Sequence, residues 1–173
     1  MVVLAPSVDA IKEIHAHFIR QYGVSGYMSE GMIEGCIERA MTYVYDFKPF
    51  PRIFLKAAAI LESIIIFHPF VDGNKRTAFE TTRIFLRLNG YEIIVPTEEG
   101  IQFTRAIANL KVTKIETIVE WIRKHTKRRI SYLFNSLITQ YLLLTYYRTS
   151  PERRQTAAEK VLVLVRAIDI YID

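Results

Sequence analysis

One stretch of this chain, Ile53 to Phe67, is apolar on nearly every side, and it limits the folds that the chain can adopt. A surface helix carries one apolar stripe, whereas a helix that is apolar all round must be enclosed by other elements. The sequence therefore predicts a central, buried helix that ends where Pro69 prevents it from continuing. Such a helix would carry His68 to the floor of a pocket.

The residues after Pro69 form a short acidic loop that opens a second helix. We predict this helix from Asn74 to Leu88, because Asn89-Gly90 is a typical helix stop. The first backbone N–H groups of a helix have no partner within it and lie at its positive end. The start of this helix is therefore expected to attract an anion.

The side chains around this helix start add to that chemistry. Lys75 and Arg76 supply two cations, and Asp72 offers an oxygen ligand of the kind that divalent metals prefer. His68 precedes them, and histidine is the side chain best suited to proton transfer near neutral pH. A base, a metal ligand and a phosphate cradle in one short stretch indicate phosphate chemistry.

Each of these residues also has a plainer interpretation when it is taken alone. His68 could be structural, Asp72 could cap the helix that begins at Asn74, and Arg76 could be an exposed helix charge. Phe70 is expected to pack in the core and hold the loop. The occurrence of all of them in one loop favours the chemical interpretation.

The stretch His68-Pro69-Phe70-Val71-Asp72-Gly73-Asn74-Lys75-Arg76 resembles the signature of the Fic/Doc (Fido) family, His-x-Phe-x-Asp/Glu-Gly-Asn-Gly/Lys-Arg. The likeness extends from about residue 8 to about residue 123. Lys75 stands where most Fic proteins carry glycine, which is similar to the Doc (death-on-curing) toxin branch. The Fic pattern also has a second arginine where this chain has Phe79, so the full Fic signature is not met.

The resemblance implies an all-α fold, namely a Fido-type helical bundle with a short flap before the motif helix and a helical C-terminal extension. We therefore expect a Fido catalytic domain over residues 1–126 and an extension of unknown role over residues 127–173. The flap corresponds to residues 43–52, where prolines and aromatic residues break the helical pattern. In Fido proteins such a flap clamps the target by strand-like pairing, but a loop pinned by buried rings is an equal interpretation here.

The resemblance also implies a role for each polar residue of the motif. His68 would be the general base that takes a proton from a target hydroxyl, and Asp72 would hold Mg²⁺. Arg76 would be catalytic as a clamp on the transferred phosphate. The expected nucleotide- and phosphate-binding residues are Gly73, Asn74, Lys75 and Arg76.

Lys75 separates two activities that the family performs on proteins. With glycine at this position, Fic proteins transfer AMP from ATP to a hydroxyl. In the Doc branch the lysine accompanies nucleotide bound in the opposite sense, so the γ-phosphate is presented. We therefore expect a Doc-like toxin that phosphorylates a Ser/Thr hydroxyl of a target protein, which in the Doc branch is a translation elongation factor. AMP transfer and a non-catalytic Fido binding scaffold remain alternatives.

The partners follow from the same resemblance. Many Fido proteins carry an inhibitory segment, Ser/Thr-x-x-x-Glu-Gly/Asn, and none occurs here at the right spacing. Restraint by a separate antitoxin chain is therefore expected, as in Doc systems. The extension at 127–173 would bind that chain, form a homodimer or cover the site.

Composition limits the partners and the compartment that we expect for the protein. The net charge of +5 comes with no zinc-type spacing and no long Arg-rich arm, so we expect no direct nucleic-acid contact. The single cysteine, Cys36, allows no intramolecular disulfide and the start lacks a signal peptide, so we expect a cytoplasmic protein. Residues 130–147 are uncharged and at the lower limit of a membrane span, but their polar side chains favour a buried or dimer-forming helix. His15 and His17 are expected to be core or surface histidines, not ligands.

Local signals also predict where other helices start and end. Ser7 and Ser29 are predicted to cap helices, as is Thr97. The run Thr113-Lys114-Ile115-Glu116 matches a capping box. The basic run 124–129 is expected to be the solvated end of the helix that this box opens.

Overall fold

The structure of the protein is a computed structural model, and it describes residues 3–42, 50 and 52–129. Most of the expected flap at 43–52 and nearly all of the expected extension at 127–173 lie outside the described residues, as does the stretch 130–147. Within the described ranges, no helix is long and apolar enough to cross a membrane.

Six α-helices and two short strands make up the described part of the chain. The helices are α1 (Val8–Tyr22), α2 (Glu30–Met41), α3 (Ile53–Phe67), α4 (Asn74–Leu88), α5 (Thr97–Ala108) and α6 (Ile115–Lys124). The strands, β1 (Tyr91–Ile93) and β2 (Thr126–Arg128), pair with each other in a two-stranded sheet. The predicted all-α fold class is confirmed.

The contacts of the chain divide it into two compact units, Met1–Lys127 and Arg128–Asp173. All six described helices belong to the first unit, and only Arg128 and Arg129 of the second are described. The predicted domain limits, 1–126 and 127–173, stay a prediction.

Helix α3 is the buried centre of the first unit, as its sequence predicted. It packs against α2, α4, α5 and α6. Its buried residues are Lys56, Ala57, Ala58, Ala59, Ile60, Leu61, Ser63, Ile64 and Ile65. The small side chains of the alanines let neighbouring helices approach closely. Burial of each Ile or Leu side chain stabilises the folded state by about 1.5–3 kcal/mol.

Two polar residues of α3 are buried, and both bond to α2. Lys56 Nζ donates to the carbonyl oxygen of Ala40 at 2.7 Å, in the last turn of α2. Ser63 Oγ accepts from the Arg39 guanidinium at 2.8 Å, and the same guanidinium pairs with Glu62 at 2.7 Å. These bonds fix α2 along α3, because a buried polar group is stable only when it has a partner.

Two of the predicted helix caps are confirmed. The side chain of Ser7 accepts a hydrogen bond from the backbone N–H of Ala10, and Ser29 accepts one from Met32. Both serines have extended backbone angles, as an N-cap residue requires. Local sequence therefore sets the starts of α1 and α2.

The other two predicted caps are wrong. The N-cap positions of α5 and α6 are occupied by Pro96 and Lys114, and neither helix start has a side-chain cap. Proline already holds its φ near the helical value, here −57°, so Thr97 becomes the first helical residue. Helix α6 packs against α3 without the predicted capping box.

The basic run 124–129 also differs from expectation. Helix α6 ends at Lys124, and the residues after it form β2, which pairs with β1. The backbone N–H of Ile94 donates to the carbonyl oxygen of His125 at 2.7 Å beside this pairing. Local sequence does not reveal this strand, because its partner lies more than thirty residues away.

Candidate active site

His68 lies just after the last residue of α3, where its backbone turns out of the helix. Its φ of 49° and ψ of 57° lie in the left-handed region, which is unusual for any residue other than glycine. The imidazole is exposed, and its Nδ1 lies 3.1 Å from the carbonyl oxygen of Ile66. A carbonyl oxygen only accepts, so Nδ1 donates, and Nε2 of the neutral ring keeps its lone pair. The ring is thus held in the tautomer that a base acting through Nε2 needs.

The loop after His68 is closed by the side chain of Asn74, the first residue of α4. Its Nδ2 donates to the Phe70 carbonyl oxygen at 2.7 Å, and its Oδ1 accepts from the Phe70 backbone N–H at 3.0 Å. Asn74 is buried, and so is Phe70. The amide of Asn74 therefore has a structural contact, and its expected donation to a phosphate stays a prediction.

Phe70 is held in turn by a histidine of α1. Its ring is 2% exposed and stacks on the imidazole of His15, with 4.0 Å between centroids and 11° between planes. His15 Nε2 lies 3.0 Å from the Asp72 carbonyl oxygen and donates to it, because that oxygen only accepts. The sequence predicted only a core or surface histidine at this position and carried no signal that the ring contacts the motif loop.

The connection between α1 and α2 also runs beside the motif loop. The Met28 N–H donates to the Pro69 carbonyl oxygen at 2.8 Å, and the Val71 N–H donates to the Gly26 carbonyl oxygen at 3.1 Å. These bonds form a short antiparallel bridge between the two segments. The motif loop is therefore fixed by backbone bonds on both sides of Phe70.

Gly73 precedes α4 and has a conformation that favours glycine. Its φ is 75°, and a Cβ there would lie 3.1 Å from Ile19 Cδ1 and 3.6 Å from His15 Cδ2. Its backbone N–H donates to Asp72 Oδ1 at 2.6 Å. Glycine is required here because the loop passes directly over α1 while its backbone turns left-handed.

The start of α4 is open toward an anion. No side chain caps it among the described residues. The first hydrogen bond of the helix runs from the Thr77 N–H to the Gly73 carbonyl oxygen, at 2.9 Å. The backbone N–H groups of residues 74–76 therefore have no helical acceptor. Lys75 and Arg76 are exposed and have no ion-pair partner in the described part of the chain. Three N–H groups and two cations meet at this end.

Asp72 is exposed beside that helix start. One carboxylate oxygen accepts from Gly73, and the other has no hydrogen-bond donor among the residues that the structure covers. No cluster of three or more potential ligand side chains occurs in those residues. Mg²⁺ does not need one, because it usually binds one or two carboxylates together with substrate phosphates and water. Asp72 therefore fits the single protein ligand of a Mg–nucleotide complex.

The position of the second Fic arginine packs against the core in this chain. Phe79 is partly buried and lies against α5 and α6: a Cβ at Gly100 would lie 3.2 Å from its ring, and the Trp121 ring centroid is 6.4 Å away. The departure from the Fic signature is therefore a residue with a packing role.

A cavity of about 280 Å³ opens beside the last turn of α3. Its walls include Ile66 and Phe67, the two residues before His68, and the bonded pair Arg39 and Glu62. The cavity thus has an apolar side next to the candidate base and a charged side on α2. It is at the lower end of the volumes of ligand pockets.

The comparisons with known proteins agree with this geometry. The sequence model of the Fic/DOC family matches residues 5–86, which include α1 to α3 and most of α4. A curated protein of Mycolicibacterium smegmatis (strain ATCC 700084 / mc(2)155), named Toxin Doc, is 40% identical over 63 residues. That match covers 36% of this chain and 48% of the relative, so the chain spans about half the length of the curated relative that it matches. Residues 5–86 of this chain are therefore similar to the Fic/Doc family, in agreement with the resemblance of the motif.

Proposed function

We propose that the protein is a Doc-like toxin that transfers the γ-phosphate of ATP to a serine or threonine hydroxyl of a target protein. The observation that carries the proposal is that His68, at the end of α3, is joined by a five-residue loop to the uncapped start of α4. The base is fixed at the end of one helix, and the open N–H groups and cations lie at the start of the next. Phosphoryl transfer needs these two functions, positioning with charge stabilisation and a base for the attacking hydroxyl.

His68 is proposed to accept the hydroxyl proton on Nε2. Its Nδ1–H bond to Ile66 keeps the ring in that tautomer before reaction and stabilises the imidazolium after it. The hydroxyl oxygen forms a bond to the γ-phosphorus while the bond from that phosphorus to the β–γ bridging oxygen breaks. The products are the phosphorylated hydroxyl and ADP, and the proton on His68 returns to solvent.

The start of α4 is proposed to bind the phosphates. The backbone N–H groups of residues 74–76 and the positive end of the helix favour phosphate oxygens. Arg76 and Lys75 add charge that stabilises the equatorial oxygens in the transition state. Mg²⁺, held by Asp72, would neutralise part of the nucleotide's charge.

Two observations favour phosphate transfer over AMP transfer. Lys75 occupies the position at which the Fic signature has glycine, and its side chain takes space and adds charge at the helix start. Phe79 stands where that signature has its second arginine, so the full Fic signature is not met. AMP transfer from ATP to a protein hydroxyl is the alternative activity. A non-catalytic scaffold is the other alternative. The missing second arginine favours it slightly, whereas the intact motif residues His68, Asp72, Asn74 and Arg76 count against it more strongly.

We also propose the target, the compartment and the partner chain that the likeness to Doc implies. The target would be a translation factor in the cytoplasm, and a separate antitoxin chain would restrain the toxin. The similar protein of M. smegmatis is named a toxin, which supports this setting. A homodimer and a role for residues 130–173 stay proposals, since those residues lie outside the described part.

Growth of an expressing host tests the proposal. Induction of the wild-type protein should arrest growth, and His68→Ala should remove the arrest because the base is lost. His17→Ala is the matched control, since His17 is an exposed histidine of α1 outside the motif loop. Arrest of equal strength by the wild type and His68→Ala would contradict the role of His68.

A further inference from the structure

We infer that His15 is a positioning residue of the phosphate-binding loop and sets the orientation of the peptide between Asp72 and Gly73. The inference deepens the proposed function and rests on it for its kinetic readout. His15 lies on α1, far from the motif in sequence, and it is 5% exposed beneath the loop. Its contacts with Phe70 and Asp72 give it a more specific role than filling the core.

The peptide that His15 contacts is bonded at both of its polar groups. Its carbonyl oxygen, on Asp72, accepts from His15 Nε2 at 3.0 Å, and its N–H, on Gly73, donates to Asp72 Oδ1 at 2.6 Å. In a planar trans peptide the C=O and N–H point in opposite directions. A carbonyl drawn toward α1 by His15 therefore directs the N–H toward Asp72 and the exposed side of the loop.

Without the donor on His15, this peptide has a second orientation available. Residue 73 is glycine, which occupies positive and negative φ about equally readily, so rotation of the peptide plane meets little steric resistance there. On one side, the nearest bonded group is the Val71 N–H, which belongs to the peptide between Phe70 and Val71 and donates to the Gly26 carbonyl oxygen. On the other side, the Gly73 carbonyl accepts from the Thr77 N–H. Between these two points, His15 bonds the loop to α1 through the Asp72 carbonyl.

The residues around His15 hold its ring in the position from which it donates to Asp72. The imidazole is 5% exposed and stacks on Phe70 at 4.0 Å, which fixes the plane of the ring. Gly73 lies directly against the ring, since a Cβ there would be in contact with it, 3.6 Å from Cδ2 and 3.8 Å from Nε2. Asp72 and the N–H groups that follow would therefore lose their common orientation if this donor were removed.

A matched pair of substitutions isolates the donor. His15→Gln keeps an N–H at the same number of bonds from Cα as Nε2, whereas His15→Met has a similar length and volume without a donor. Both lose the ring, so their difference reports the hydrogen bond. His17→Met is the control for a methionine on the exposed side of α1.

Two readouts separate positioning from stability. In the transfer assay, His15→Met should lower kcat about 10- to 100-fold while KM for ATP changes less, because the nucleotide still binds but is misplaced. His15→Gln should recover most of that loss, and His17→Met should leave kcat unchanged. In NMR spectra, the Gly73 amide resonance should shift in the methionine variant and return toward its wild-type position in the glutamine variant.

Equal kcat values for His15→Met and His15→Gln, or a Gly73 amide that is the same in both, would overturn the inference. A wild-type protein without transfer activity would instead overturn the proposed function, and the Gly73 amide would then decide the positioning role alone. Unfolding midpoints are measured for every variant. If both substitutions at position 15 unfold the protein, His15→Phe, which keeps the stack without a donor, is compared with the wild type.

Discussion

Asn74 and Phe70 form a closed pair in which one side-chain amide satisfies both backbone groups of the other residue, at 2.7 and 3.0 Å. This pair joins the start of α4 to the middle of the motif loop. An asparagine that sequence alone assigns to phosphate binding is thus also the residue that shapes the loop.

Asn74→Ala should destabilise the protein, because it leaves two buried backbone groups of Phe70 without partners. Each unsatisfied buried group costs about 1–3 kcal/mol, so the free energy of unfolding should fall by about 2 kcal/mol or more. Chemical denaturation measures this change. Asn109→Ala, at an exposed asparagine after α5, should stay within about 0.5 kcal/mol of the wild type. Equal stability of the two variants would contradict the closing role of Asn74.

His68→Gly should be inactive and yet more stable than His68→Ala. Both variants lose the imidazole and its bond to Ile66, but only alanine keeps a Cβ at the left-handed φ of 49°. The left-handed conformation costs a residue with a Cβ about 1–2 kcal/mol. The free energy of unfolding of the glycine variant should therefore be about 1 kcal/mol higher than that of the alanine variant. Denaturation and the transfer assay are measured together. A glycine variant less stable than the alanine variant would show that this backbone turn stores no strain.

Asp72→Asn should raise the Mg²⁺ concentration needed for transfer by about tenfold or more, because the ligand loses its charge. The amide oxygen can still accept from the Gly73 N–H, so the loop keeps that bond. A Mg²⁺ titration of the transfer rate checks this, with chelation of the metal abolishing activity in the wild type. Asp9→Asn, at an exposed carboxylate of α1, serves as the control and should leave the titration unchanged. An identical Mg²⁺ dependence in Asp72→Asn would rule out Asp72 as the metal ligand.

Cys36 should make the protein less stable at alkaline pH. Burial raises the pKa of its thiol to about 11, above the ordinary value of 9.0. Because the folded pKa is the higher one, the stabilising effect is complete below pH 9.0 and is lost as pH rises toward about 11. The free energy of unfolding measured from neutral pH to about pH 10.5 should therefore fall by roughly 2 kcal/mol more in the wild type than in Cys36→Ala. Parallel pH profiles of the two proteins would contradict this effect.

The sequence predicts the fold well where local signals decide the structure. Pro69 and Asn89-Gly90 set the ends of α3 and α4, and the predicted limits of both helices agree with the structure. Ser7 and Ser29 cap their helices as expected, since a cap is a contact between near neighbours in the chain. The family resemblance is carried by such a local motif and is confirmed for residues 5–86.

The sequence fails where the deciding partner is distant along the chain. The pairing of β1 with β2 and the contact of His15 with Asp72 both join segments that no local pattern relates. Phe79 is similar: the sequence shows it as a departure from the Fic signature, but only the structure reveals that it packs against the core beside Trp121. Long-range contacts of this kind decide how the candidate site is supported.

The most direct test of the central claim is mass spectrometry of a host lysate incubated with the protein and Mg-ATP, with His68→Ala as the control. We predict a gain of about 80 Da, one phosphoryl group, on a serine or threonine of a target protein, and its absence with the variant. A His68-dependent gain of about 329 Da, one AMP unit, would contradict γ-phosphate transfer and the role given to Lys75.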